Sequence, residues 1–216
     1  MTVEPQAQIT EYVFRAPWGG GNDAWIEAIN KHNPSASKFL EIGSYEGRSA
    51  VYFFDKVFKD GRTYELYCLD TWLGGEGQDT RPGQMELTER IFDHNINIAI
   101  RNNPAKKVSV TKIKNSSLMG LANLITMGHC STFDFVYVDG SHQCPDVIGD
   151  LVSSFHLLRP SGGIMVCDDY TWFPDHRVDR LLHSPKMAID SFGNIFWDKL
   201  AWVQMSTPHQ PMFVKL

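Results

Sequence analysis

The chain has 216 residues, of which 43% are hydrophobic, 21% charged and 12% aromatic, a balance that speaks against a disordered or repetitive chain and for one ordinary globular core. Twenty basic against twenty-five acidic residues leave a formal charge of −5, and no lysine- or arginine-rich block is present to track a phosphate backbone, so nucleic acid is not an expected partner. No apolar run approaches the roughly 20 residues that cross a bilayer, and the opening "MTVEPQAQITEY" has neither a basic nor an apolar leader, so the expectation is a cytoplasmic protein with no membrane partner.

In chain order, residues 1–24, with "APWGGGND", are too rich in glycine and proline for a regular element. "KFLEI" (38–42) then reads as a strand, 49–58 as a helix and 64–69 as a second strand. After the irregular "GGEGQDTRPG" within 71–84, residues 87–101 read as a helix, with Ile91, Phe92 and Ile98 serving the core or a contact in a homo-oligomer. Strands follow at 108–113, 133–138 and 163–167, with helices at 117–127 and 144–158 between them. Residues 170–185 are again irregular, and "KLAWVQMSTPHQPMFVKL" closes the chain as a hairpin around "TPHQ". This alternation predicts one α/β domain over 1–216, with βαβ units around a mostly parallel sheet and an antiparallel hairpin at its end. The tracts 1–24 and 71–104 are candidate covers of an active site. Cys68, Cys130, Cys144 and Cys167 form no C-x-x-C pair and read as structural thiols.

Each strand ends in a polar cluster: Glu41-Ile42-Gly43, Asp70-Thr71, Asn115-Ser116, Asp139-Gly140-Ser141-His142 and Asp168-Asp169. In an open α/β sheet the carboxyl ends of the strands form the ligand crevice, so acids delivered there by four strands define a site. Glycine beside Glu41 lets a ligand approach the backbone, and the carboxylate accepts hydrogen bonds from a cationic or hydroxylated partner.

On these residues the sequence resembles the class I S-adenosylmethionine-dependent methyltransferases. Glu41-Ile42-Gly43-Ser44-Tyr45-Glu46-Gly47 matches the family's first motif, an acid and a G-x-x-x-G turn, and Asp70 in "YCLDTW" matches the acid of its second. The resemblance implies a Rossmann-like fold, seven strands with helices on both faces, and S-adenosylmethionine as cofactor. Glu41 is then placed near the cofactor's amino-acid end, directly or through water, with Gly43, Ser44 and Gly47 around it. Asp70 and Thr71 fall at the ribose, and Asn115 and Ser116 at the adenine or capping the next helix. Trp72 serves as core or as a stacking surface. The spacing and the terminal hairpin separate this pattern from a G-x-G-x-x-G dinucleotide site.

"FDFVYVDGSHQCPDVIGDL" and "LLRPSGGIMVCDDY" narrow the resemblance to metal-dependent small-molecule O-methyltransferases, of the catechol type and, more closely, the sugar-modifying macrocin type. It implies that Asp139, Asp168 and Asp169 hold a divalent cation, Mg2+ or Mn2+, for which oxygen donors are suited. Asp139 then has a second place beside the cofactor and the catalytic centre, and His142 is the general base, an imidazole able to take a proton at neutral pH. The alternative reading gives Asp168 and Asp169 to capping and backbone hydrogen bonds. Acceptor specificity is assigned to Tyr12, Phe14, Trp18, Arg81, His94, Tyr170, Trp172 and His176 in the covers. The expected partner is a small-molecule hydroxyl acceptor, sugar or phenol-like. The rival readings are another acceptor or reaction on the same fold, and a non-catalytic cofactor-binding subunit.

Overall fold

The computed structural model describes residues 11–17, 20–75, 78–174, 177, 179–203 and 209–216. Trp18 and His176, and residues 207–208 of the hairpin turn, lie outside the described residues. The elements are α1 (Asp23–His32), β1 (Lys38–Ile42), α2 (Arg48–Tyr52, continued by a π-helical turn over Phe53–Val57), β2 (Thr63–Asp70), α3 (Gln84–Asn102), β3 (Lys107–Lys114) and α4 (Ser117–Thr126). β4 (Phe135–Val138), α5 (Cys144–Leu157), β5 (Ile164–Cys167), a 3-10 turn (Leu181–His183), α6 (Pro185–Ile195), β6 (Leu200–Val203) and β7 (Met212–Lys215) complete the chain.

The seven strands form one sheet in the order β3-β2-β1-β4-β5-β7-β6. β1 to β5 pair in parallel, and β7 pairs antiparallel with both β5 and β6. The hairpin therefore reverses direction only at β7, while β6 at the edge runs with the parallel set. β1, β4 and β5 are buried on both faces, which is why their sequences are apolar runs without alternation. Phe39, Phe135 and Ile164 point into one core with α1 and α2, and Leu40, Val136 and Met165 into the other with α5 and α6.

The expected helix at 87–101 exists but begins at Gln84, and it buries Ile91, Phe92 and Ile98. Residues 84–102 of the 71–104 tract are thus packed helix. Phe133 was expected inside the fourth strand; it makes only an isolated bridge to Leu158. Its backbone is taken up by the end of α5, with Phe133 N donating to Leu157 O (3.0 Å) and Arg159 N to Phe133 O (2.9 Å), while the Asp134 carboxylate accepts from Ser37 N (2.8 Å), Lys38 N (2.9 Å) and Asn33 Nδ2 (3.0 Å). Helices α1 and α6 were not anticipated. Each buries a short stripe at helical spacing, Trp25, Ala28 and Ile29 in the first and Pro185, Ala188, Ile189 and Phe192 in the second, beside tracts rich in glycine and proline.

Strand order reverses between β1 and β4, the switch point at which an open α/β sheet leaves a crevice. The residues just past the strands are locked at one level there. Gly43 N donates to Leu69 O (2.8 Å), Asn115 N to Asp70 O (2.9 Å), Asp139 N to Ile42 O (2.9 Å) and Asp168 N to Val138 O (2.9 Å).

Candidate active site

Glu41 projects from β1 on the face shared with Phe39 and is wholly buried. Its Oε1 accepts from Ser49 Oγ at the start of α2, while Oε2 has no hydrogen-bond partner among the described residues. Burial pushes its pKa up to about 7, against smaller lowerings by the side chains of Ser49, Ser44 and Cys68. A buried, half-satisfied carboxylate is costly, and a cationic group arriving at Oε2 would relieve it. The Ser44 hydroxyl is also buried and unpartnered among these residues.

Gly43 has φ 90°, and a Cβ there would stand 1.9 Å from the Asp139 carbonyl oxygen. Its bareness thus serves first the close approach of the β1 and β4 ends, a nearer constraint than ligand approach. Gly47, at φ 81°, begins α2 against Phe92. Asp70 ends β2 with each oxygen already holding one backbone amide, Tyr45 N on Oδ2 (2.8 Å) and Trp72 N on Oδ1 (2.7 Å). Each oxygen keeps a further lone pair for a diol. Burial raises its pKa more than these bonds lower it. Tyr45, Trp72 and Asp169 all have positive φ at this edge, the kind of local strain that functional loops retain.

Trp72 takes the first of its two expected places, the core. Its ring is 2% exposed, lies 4.9 Å from Phe92 beneath the Lys112 ammonium, and donates from Nε1 to Tyr45 O (2.9 Å), so it offers no free face for stacking. Ser116 acts as the N-cap of α4, accepting from Met119 N, and Asn115 Oδ1 accepts from Ser116 N (2.9 Å). Thr71 Oγ1 accepts from Leu73 N (3.1 Å), which closes the turn after β2.

On the other side of the switch point Asp139 and Asp168 share one partner, the hydroxyl of Tyr137, at 3.0 Å from Asp139 Oδ2 and also on Asp168 Oδ2. Burial first, then repulsion from neighbouring carboxylates, Asp168 and Asp169 for Asp139 and Asp169 for Asp168, raises the proton affinity of both carboxyls. Asp169 is engaged elsewhere: its Oδ2 lies 2.8 Å from His142 Nε2, and the imidazole packs 4.2 Å from the Trp172 ring with Nδ1 buried and unpartnered among the described residues. No three His, Cys, Asp or Glu side chains among the described residues are arranged to hold a metal ion. The three expected ligands thus do not converge: Asp139 and Asp168 meet at Tyr137, and Asp169 turns to His142. Two uncompensated carboxylates still suit a hard cation, since Mg2+ is usually held by one or two carboxylates, with waters and substrate oxygens filling the rest of its shell.

The specificity residues are mostly committed elsewhere. The Tyr12 hydroxyl donates to Asp55, Phe14 lies under Arg48, His94 holds Glu11 O, and Arg81 pairs with Asp79. Tyr170 is tied to Asp190 and Lys186 on α6. Of the third cover, Trp172 stays at the site. Residues the sequence reading passed over are Tyr137, Gln210, Arg15, Glu46 and Asn95. A period-2 reading of "FVYVD" puts Tyr137 on the same face as Asp139, which was the available signal.

A family model described as a methyltransferase domain matches residues 40–170, from β1 through the acids after β5. The chain belongs to the class I S-adenosylmethionine-dependent methyltransferases. Over 155 residues it is 26% identical to a probable caffeoyl-CoA O-methyltransferase 3 of Dictyostelium discoideum, covering 72% of this chain and 52% of that protein. The chain thus spans about half the length of this curated relative. MycE, a methyltransferase of the mycinamycin biosynthetic pathway solved with Mg and S-adenosylhomocysteine (SAH), superposes with a TM-score of 0.52 at 17% identity, over 89% of this chain and 48% of its own. A putative rRNA-methylase from Clostridium thermocellum gives 0.58 at 14% identity, over 93% of this chain and 99% of its own. At such identities the likeness is one of fold, and it spans different acceptors. Among the described residues, no helix is long and apolar enough to cross a membrane.

Proposed function

We propose that this methyltransferase transfers a methyl group from S-adenosylmethionine to a hydroxyl of a small molecule, sugar or phenol-like, with a divalent cation assisting. The observation that carries the cofactor reading is the buried Oε2 of Glu41 at the head of the glycine turn, without a hydrogen-bond partner among the described residues and positioned to accept from an ammonium group. Asp70, already fixed by two backbone amides, takes the ribose hydroxyls with its remaining lone pairs.

The acceptor side is assigned to the edge formed by Asp139, His142, Asp168 and Asp169. Asp139 and Asp168 would hold Mg2+ or Mn2+, and such an ion lowers the pKa of a bound hydroxyl and fixes its direction. With the Nε2 proton of His142 directed to Asp169, the Nδ1 lone pair is the group that takes the hydroxyl proton. Trp172 holds the imidazole from one face. Positioning then supplies most of the catalysis, because methyl transfer is an in-line displacement that needs the oxygen aligned. An edge lined by acids supports a neutral or cationic small acceptor over a phosphate chain.

Calorimetry with SAH tests the cofactor reading. Wild type should bind in the micromolar range, and Asp70→Ala should bind at least about tenfold more weakly, the scale of a lost charge-assisted hydrogen bond. Absence of SAH binding, or tight NAD binding in its place, would overturn it. For the acceptor side, His142→Ala should keep SAH affinity while lowering methyl transfer by about 10²- to 10⁴-fold. Unchanged turnover in that variant would pass proton removal to another group.

A further inference from the structure

Tyr137 has no part in the reading above, yet its hydroxyl touches both acids assigned to the cation. The side chain is fully buried in β4, its ring centroid 4.6 Å from that of Trp25. One phenolic proton is shared between Asp139 Oδ2 (3.0 Å) and Asp168 Oδ2.

The direction of that sharing is set from behind by Gln210, which lies just before β7. Gln210 Oε1 accepts from Asn22 Nδ2 (2.5 Å) and from Trp25 Nε1 (3.1 Å). Both of those partners are N–H donors, so the amide has only one workable orientation, with Nε2 toward the Tyr137 oxygen at 3.5 Å. The phenol oxygen thereby accepts from Gln210, and its own proton is left to point at the two carboxylates. Donors from the N-cap of α1, from within α1 and from the loop before β7 converge through one hydroxyl on acids that come from β4 and β5.

We infer that Tyr137 is a positioning residue, whose hydroxyl holds Asp139 and Asp168 in the paired orientation that receives a divalent cation. The inference rests on the cation-assisted reading of the site. Asp168 Oδ1 is already held by the Asp169 backbone amide (2.8 Å), so repulsion would turn Asp139 away from it unless a donor joined the two. A neutral donor between them restrains both without adding a competing charge. Groups that orient metal-binding carboxylates from behind typically matter by about 10- to 100-fold in metal affinity.

The test uses the full chain and Mn2+ as the probe, with free Mn2+ followed by electron paramagnetic resonance and SAH affinity measured on the same samples. Tyr137→Phe removes only the oxygen and keeps the packing on Trp25. Expected is Mn2+ affinity reduced at least tenfold with SAH affinity within about twofold of wild type. Gln210→Leu, which leaves the phenol in place but removes its rear support and the Gln210 contact to Asp168, should give a smaller loss in the same direction, and it serves as the readout if Tyr137→Phe does not fold. Equal Mn2+ affinity in wild type and variant overturns the proposal while leaving the cation reading intact. Parallel losses of Mn2+ and SAH affinity also overturn it, because they mark general damage. A wild type that binds SAH but no Mn2+ overturns the cation reading and this inference with it.

Discussion

Glu41 is a residue at which stability and function pull in opposite directions. Its carboxyl titrates near 4.5 when the chain is unfolded and at about 7 when buried in the fold. Between these values the folded state binds more protons, so this group's contribution to stability is intact below about pH 4.5 and is lost as pH rises through about 7. The shift corresponds to about 3 kcal/mol. Glu41→Gln keeps an oxygen for Ser49 and removes the charge, so without cofactor it should be more stable than wild type at pH 8 and nearly equal at pH 4.5. Urea denaturation at both values checks this, and an unchanged difference between the two proteins across that range would show that Oε2 is solvated. Gly43 makes the opposite case: at φ 90°, with the Asp139 carbonyl oxygen 1.9 Å from where a Cβ would stand, Gly43→Ala should destabilise the fold by about 3 kcal/mol or more, read as a lower denaturation midpoint. A midpoint within experimental error of wild type would mean that the β1 and β4 ends can part freely. The acids themselves could be read from sequence because each closes an apolar run. Alternation along β4 places Tyr137 on the face of Asp139, but its meeting with Asp168 and Gln210 joins three strands, and no local pattern records that.

At the scale of elements, the segment 11–17 is better described as a strap than as a loose cover. Asn95 of α3, fully buried, accepts from Val13 N (2.8 Å) and donates to Val13 O (2.7 Å) and Glu46 O (2.8 Å). Arg15 pairs with the buried Glu46 at 2.6 Å and reaches Gln84 Oε1 (2.9 Å), while Arg48 donates to Ala16 O (2.7 Å) and lies over Phe14. Composition indicated an irregular tract there because glycine and proline exclude helix and strand. It carried no sign of the anchors, which lie 31 and 82 residues away in sequence. Strand and helix interiors were readable for the complementary reason, that periodicity is a local property, and α1 and α6 were hidden because their buried stripes are short, three and four residues. The strap should come free when its anchors are cut. Asn95→Ala leaves the Val13 and Glu46 backbone groups unpaired, at a cost of about 1–3 kcal/mol, and should speed tryptic cleavage after Arg15 by about tenfold or more without changing cleavage elsewhere. Cleavage after Arg15 at the wild-type rate would mean that Arg48 and Glu46 hold the strap without Asn95.

Across the whole molecule, acids from four strands meet at one end of the sheet, Glu41, Asp70, Asp139, Asp168 and Asp169, and burial keeps the first four poorly solvated. Such an edge destabilises the empty protein and is stabilised by whatever brings positive charge to it, so ligand and fold are thermodynamically linked. At 100 times its dissociation constant SAH should add about 2.7 kcal/mol, which for a chain of this size is a rise in Tm of roughly 5–11 °C. The size of the rise should depend on pH in a direction that Glu41 dictates. Below about pH 7 its carboxyl is increasingly neutral and attracts the ammonium of the ligand less, whereas above that it is ionised and attracts it fully. The SAH-induced shift at a fixed ligand concentration should therefore be larger at pH 8 than at pH 5.5, and Glu41→Gln should flatten this difference while lowering the shift at pH 8. Differential scanning fluorimetry of both proteins, with NAD as a control expected to produce no shift, reads all of this in one series. A shift in wild type that is independent of pH, or a variant that keeps the pH dependence, would place the ligand's ammonium away from Glu41 and return that carboxylate to a purely internal role with Ser49.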